Sequence, residues 1–171
     1  MLFCVLIKFL KPKALFVRYI YGKGSKTPMY IEQIINEYGP SVYSFALSRM
    51  KNEDDAADVY QTVFLKLFSK KPKFSKPQQI KSWLMKTTYN CTADIFRRRK
   101  NTVELTDDIP HQDERGFYDL LDTLPELYRD AVYLYYGESM RVSEIAKVLG
   151  ISAGGVKSRL ARARKYLKEE L

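Results

Sequence analysis

The side chains able to do chemistry fall into three sets. The first is a run of carboxylates, Glu53, Asp54, Asp55 and Asp58. Clustered acids are what a metal-assisted nuclease uses to hold divalent cations. These four lie at the start of an apolar-periodic segment and have no histidine partner, so helix capping and docking explain them better than hydrolysis. The second set interleaves bases with aromatic rings: Lys81, Lys86, Arg97, Arg98, Arg99 and Lys100 beside Trp83, Tyr89 and Phe96. Ammonium and guanidinium groups neutralise phosphates while rings stack on bases, the combination that holds single-stranded or melted nucleic acid. The third set is Lys157, Arg159, Arg162, Arg164 and Lys165, strung along one segment near the C-terminus. His111 is a lone imidazole in a polar stretch and reads as inert. Cys4 and Cys91 sit in no metal-type spacing, so a reducing cytoplasm fits and neither a disulfide framework nor a zinc site is expected. No catalytic residue, metal or cofactor is expected.

Helices must position these sets. Val142, Ile145, Ala146 and Leu149 share one helical face. Gly150 stops that helix, and Ser152 caps the next, whose apolar stripe is Val156, Leu160, Ala163 and Leu167. Helix, tight turn and basic helix form the pattern of a helix-turn-helix, whose second helix enters the major groove of DNA. A basic hairpin that merely packs internally is the blander alternative. Upstream, Ile31, Ile34, Ile35, Tyr38, Val42, Phe45 and Ala46 keep a helical period that Gly39-Pro40 is expected to break or kink. Asn52 caps a following helix in which Ala56, Val59, Tyr60, Val63, Phe64 and Leu67 face inward. Asp54, Asp58, Gln61 and Leu65 form a separate outward stripe. After a lysine-rich, proline-punctuated loop, Ile80–Thr88 and Asn90–Lys100 read as two helices, or as one interrupted near Tyr89-Asn90. Thr123-Leu124-Pro125 starts a helix of the second module, and Tyr136-Gly137-Glu138-Ser139 turns the chain into the helix-turn-helix. No strand pattern persists.

The chain has 171 residues and a formal net charge of +9, an excess that favours a polyanionic partner. The charge is uneven. Two basic modules flank an acidic, aperiodic connector that includes Glu104, Asp107, Asp108, Asp113 and Glu114. Residues 1–28 carry Lys8, Lys11, Lys13, Arg18, Lys23 and Lys26 and no acid. Their first apolar run is too short to span a bilayer, and the order of bases and apolar residues is not that of a signal peptide. They read as an extension, with a membrane-surface helix as the alternative.

Two separated blocks resemble the small extracytoplasmic-function (ECF) sigma factors of bacterial RNA polymerase. The first is DDAADVYQTVFLKLF followed by SWLMKTTYNCTADIFRRRK, similar to sigma region 2. The second is LDTLPELYRDAVYLYYGESMRVSEIAKVLGISAGGVKSRLARARKYL, similar to sigma region 4. The resemblance implies an all-α chain of two small helical domains, 29–100 and 117–171, joined by a flexible acidic linker over 101–116, with 1–28 outside the pattern. It implies that Asp54, Asp55, Asp58 and Gln61 contact core RNA polymerase. Trp83, Thr87, Tyr89, Asn90, Thr92 and Ala93 would read and capture the melted −10 strand of promoter DNA, with Lys81, Lys86, Arg97, Arg98, Arg99 and Lys100 on its phosphates. Ser152, Gly154, Gly155, Lys157, Ser158, Arg159, Arg162 and Arg164 would read the −35 element. The family usually has threonine or a similar residue where Gly155 stands, and Gly154-Gly155 places two poor helix formers in the reading helix. The resemblance further implies an anti-sigma factor as a partner, no small-molecule substrate and a cytoplasmic location, held at the membrane where the anti-sigma factor is a membrane protein. The rival reading is a stand-alone helix-turn-helix regulator, which leaves the first block unexplained.

Overall fold

The computed structural model describes residues 31–99 and 115–170. The N-terminal extension, Lys100 and nearly all of the acidic connector, with His111, lie outside the described residues. Every element among the described residues is helical: α1 (Ile31–Met50), α2 (Glu53–Lys70), α3 (Pro77–Arg99), α4 (Arg115–Thr123), α5 (Glu126–Val132), a π-helical turn (Tyr133–Gly137), α6 (Val142–Leu149) and α7 (Ala153–Glu170).

The helix ends follow local chemistry. The Asn52 side chain accepts a hydrogen bond from the Asp55 amide at 2.9 Å, and Glu53, Asp54 and Asp55 occupy the positive first turn of α2. Pro77, which needs no amide partner, is the first residue of α3. Glu144 reaches back to accept from the Arg141 amide at 2.9 Å at the start of α6. Gly150 ends α6 with φ of 68°, a left-handed conformation that glycine adopts without penalty. Ser152 then caps α7, its hydroxyl accepting from the Gly155 amide at 3.0 Å.

Two expectations are corrected. Gly39-Pro40 does not break the first helix; α1 runs through Pro40 to Met50. Proline there removes the hydrogen bond to the Asn36 carbonyl, but both residues are exposed, so water can take that carbonyl. Gly39 itself is buried where a Cβ would lie 3.0 Å from the Tyr60 hydroxyl. Nor is there an interruption near Tyr89-Asn90: α3 is one helix, beginning three residues before Ile80. Its threonines do not compete with the backbone, because the hydroxyls of Thr87, Thr88 and Thr92 donate to the carbonyls of Trp83, Leu84 and Tyr89 within the helix.

In the first module α1, α2 and α3 pack on one another through Ile34, Val42, Phe45, Val59, Val63, Leu67, Ile80, Leu84 and Met85. In the second, α7 packs against α5 and α6 through Ala131, Ile145, Val148, Val156, Leu160 and Ala163. The modules also meet: α6 lies along α3, and Phe45 of α1 stacks on Tyr133 of the π-turn with ring centroids 5.1 Å apart. Replacing Asn52 with alanine, which strips the α2 cap, is expected to cost about 1 kcal/mol in urea denaturation, and replacement with glycine only a few tenths.

Candidate nucleic-acid interface

Helix α3 carries most of the promised chemistry, and its periodicity sorts that chemistry onto two faces. Trp83, Lys86, Thr87, Asn90, Ala93 and Arg97 fall on one side. Lys86, Asn90 and Arg97 are exposed there, and half-buried Trp83 meets Phe74 edge-on at 6.2 Å. Arg97 forms an ion pair with Asp94 one turn back, at 2.7 Å. Lys81, Tyr89, Thr92 and Phe96 fall on the other side, toward the second module. The Lys81 ammonium donates to the carboxylate and to the backbone carbonyl of Glu138, both at 2.7 Å. Thr92 is buried and accepts from Nε of Arg49 at 2.7 Å. The structure therefore brings together part of the expected strand-binding set and places the rest beneath α5, the π-turn and α6.

Arg49, at the end of α1, is the centre of that covered face and was missed in the sequence. Its guanidinium lies 4.4 Å from the centroid of the Tyr89 ring and about equally far from Phe96 and Phe45, at 5.9 and 6.0 Å. Its Nη1 pairs with the carboxylate of Asp130 on α5. Burial pushes the Asp130 carboxyl up from its ordinary range, and the Arg49 charge and hydrogen bond pull against that. Glu138 is also buried, held by Lys81 and, more loosely, by the Tyr133 hydroxyl at 3.4 Å. No periodicity could announce a pair separated by 81 residues.

The acidic stripe divides as well. Asp54, Asp58 and Gln61 are exposed on α2, in line with Leu65, which is 61% exposed. Asp55 turns inward instead and pairs with Arg99 of α3 at 2.6 Å. This joins one residue expected at polymerase to one expected on phosphate. Beside the stripe, Tyr43 meets Tyr60 edge-on at 6.3 Å. Burial raises both phenols above their usual 10.0, and for Tyr43 the charges of Glu53 and Asp54 raise it further.

On α7, Lys157, Ser158, Arg162 and Arg164 are exposed and Arg159 is half-buried, while Val156, Leu160 and Ala163 are buried beneath them. Gly154 is exposed, and a Cβ on Gly155 would make only ordinary contacts, 3.4 Å to the Ser152 hydroxyl and 3.5 Å to Ile151. The first turn of α7 thus presents backbone amides and the capping Ser152, with the bases along the following turns.

Residues 34–102 match the Sigma-70 region 2 family, and residues 115–167 match Sigma-70, region 4. The RNA polymerase sigma factor SigZ of Bacillus subtilis (strain 168) is 30% identical over 155 residues, covering 84% of this chain and 88% of the relative. The chain belongs to the ECF sigma factors of bacterial RNA polymerase. The ECF RNA polymerase sigma factor SigM of the same organism is likewise 30% identical over 154 residues, covering 82% of this chain and 94% of the relative. The sigma factor RpoE from Bartonella quintana, solved in complex with the anti-sigma factor NepR, is similar in structure. Its TM-score is 0.70 at 25% identity, with 81% of this chain and 94% of that chain covered. The protein is therefore a transcription initiation factor, built as a region 2 module followed by a region 4 module.

Two measurements probe these features of the sigma factor. Gly155→Ala should raise the stability of the second module by about 1 kcal/mol, because the site has room for a Cβ and the helix gains a better former. Thermal unfolding followed by circular dichroism reads it. The raised phenols mean that the native state holds those protons more tightly than the unfolded chain. The stability they contribute is present below the ordinary tyrosine value of 10.0 and is lost as pH rises through the raised values. Urea midpoints should therefore fall at alkaline pH, and the fall should be shallower in the variant carrying Tyr43→Phe and Tyr60→Phe.

Proposed function

We propose that this sigma factor binds core RNA polymerase through region 2, brings it to promoters by reading two DNA elements, and assists their melting without catalysing a reaction itself. The observation that carries the reading is the succession, on one chain, of a region 2 match and a region 4 match. Each module also exposes charge of the required sign: acids on α2 and bases on α7.

In this reading Asp54, Asp58 and Gln61, flanked by Leu65, dock on the polymerase, and Asp55 steadies them through its tie to Arg99. Trp83, Lys86, Thr87, Asn90, Ala93, Arg97 and Arg98 work on the strand opened at −10, joined by Lys81, Tyr89 and Thr92 when their face is open, with Arg99 and Lys100 as further phosphate contacts. A base drawn out of the stack costs a few kcal/mol, offset by stacking on aromatic rings and by pocket contacts. Ser152, Gly154 and Gly155 offer amides and a hydroxyl to a backbone phosphate, since a helix N-terminus favours anions. Lys157, Ser158, Arg159, Arg162 and Arg164 line the helix that lies in the major groove at −35. The division into domains 29–100 and 117–171 follows from the same assignment. The anti-sigma factor bound to RpoE supports an anti-sigma partner for this chain, and a polymerase-bound role supports a cytoplasmic location. Among the described residues no helix is long and apolar enough to cross a membrane.

The decisive experiment mixes the chain with core polymerase and promoter DNA and scores specific initiation. Failure to bind core, together with tight duplex binding by the chain alone, would establish the stand-alone regulator instead. Within the sigma reading, Asp58→Ala should weaken core binding and spare duplex affinity for the −35 element. Arg159→Ala should do the reverse, with a loss of about 1–3 kcal/mol if it contacts a base.

A further inference from the structure

The covered face of α3 is not explained by the roles above. The Arg49 side chain is only 6% exposed, yet its shape and setting are those of an anion-binding group. The guanidinium is fixed from one side by the Thr92 hydroxyl and from below by the Tyr89 ring, and it turns a remaining donor toward a carboxylate. A planar fork held over an aromatic ring suits a phosphate as well as a carboxylate. Tyr89 and Thr92, which hold it, are among the residues assigned to the melted strand.

The ion pairs around it share a polarity. Among the described residues three cross between the modules: Arg49 with Asp130, Lys51 with Asp122 at 3.5 Å, and Lys81 with Glu138 at 2.7 Å. In each the base belongs to region 2 and the acid to region 4. Asp130 and Glu138 are buried at the seam and Asp122 stands at its exposed rim, although the second module is basic along the exposed side of α7. The inner face of region 4 therefore lays a row of carboxylates along a basic and aromatic surface, as a nucleic-acid backbone would lay its phosphates.

We propose that Arg49 is a phosphate contact for the melted promoter strand, and that the Asp130 carboxylate occupies its place in the closed molecule. Glu138 does the same at Lys81. The proposal rests on the sigma-factor reading, which supplies the strand. Strand and region 4 then compete for one surface, so DNA capture and separation of the modules are a single equilibrium. Whatever holds the modules apart, such as polymerase engaging both, removes the competitor and delivers the site.

The test compares the full chain with a double variant, Asp130→Asn with Glu138→Gln, for binding to a labelled single-stranded oligodeoxynucleotide by fluorescence anisotropy across a salt series. The double variant should bind about tenfold more tightly, as expected when a competing state is removed, and its radius of gyration in X-ray scattering should increase. Adding Arg49→Gln to that background should abolish most of the gain and make the log–log salt slope shallower by about 0.7, one single-strand phosphate contact. Unchanged affinity in the double variant, or a gain that survives Arg49→Gln, overturns the proposal. If Asp130→Asn prevents folding, Arg49→Gln is measured alone in the assembled polymerase complex, where open-complex lifetime under salt challenge should shorten; an unchanged lifetime overturns the proposal. Initiation by the parent chain with core polymerase is scored in parallel. Normal initiation without these changes leaves the sigma reading standing and removes only the role of Arg49, whereas a parent chain that cannot bind core removes the sigma reading itself.

Discussion

The relation between the two modules depends on a buried charge that has to be paired. A guanidinium taken out of water costs several kcal/mol unless hydrogen bonds and an opposite charge replace its hydration, and removing one partner of such a pair typically costs about 3–5 kcal/mol. Arg49 meets that demand with Thr92 and Asp130, and with aromatic rings on its faces. Because Asp130 stands on α5, satisfying Arg49 also fixes where α5 lies against α1 and α3. The Phe45–Tyr133 stack and the Lys81–Glu138 pair then fall into register around the same point. Polar pairs of this kind make an interface specific more than strong. They favour one arrangement in dry surroundings and give it up readily when water or another anion can take over.

This asymmetry gives α3 two kinds of surface. Toward α1 and α2 it is apolar and permanently packed by Ile80, Leu84 and Thr88. Toward α6 and the π-turn it combines apolar packing around Met85, Tyr89 and Phe96 with the Lys81–Glu138 ion pair. Beyond these, the side bearing Trp83, Asn90 and Arg97 stays open to solvent whatever region 4 does. One continuous helix thus serves as core, as seat for the second module and as outward platform. That explains why breaking it near Tyr89-Asn90 would be costly: all three surfaces are held in phase only while the helix runs unbroken from Pro77 to Arg99.

Local signals were legible in the sequence wherever a cap or a period carried them. Asn52, Gly150 and Ser152 act as their residue types announce, and the apolar stripes of α2, α6 and α7 are buried, or partly buried at Tyr60, Val142, Ala146 and Leu167. The two modules were legible as well, since each carries its own motif. Of the break or kink expected at Gly39-Pro40, the break does not occur, because the exposure of Asn36 makes the missing hydrogen bond cheap. Arg49, Asp130 and Glu138 escaped notice for a different reason. Their importance is a property of a long-range pairing, and each looks like an ordinary surface charge until the modules are brought together.

The π-helical turn has a consequence for how the second module is aimed. Between Tyr133 and Gly137 the backbone takes a wider loop, with the Glu138 amide bonded to the Tyr133 carbonyl at 3.1 Å across five residues. One residue is in effect inserted without lengthening the helix, so the residues that close the turn sit about 100° round from where an uninterrupted α-helix would put them. That rotation accompanies the placing of Glu138 against Lys81. The turn works as a vernier on the α6–α7 hairpin. Shortening it by one residue would leave every helix intact and point the hairpin elsewhere.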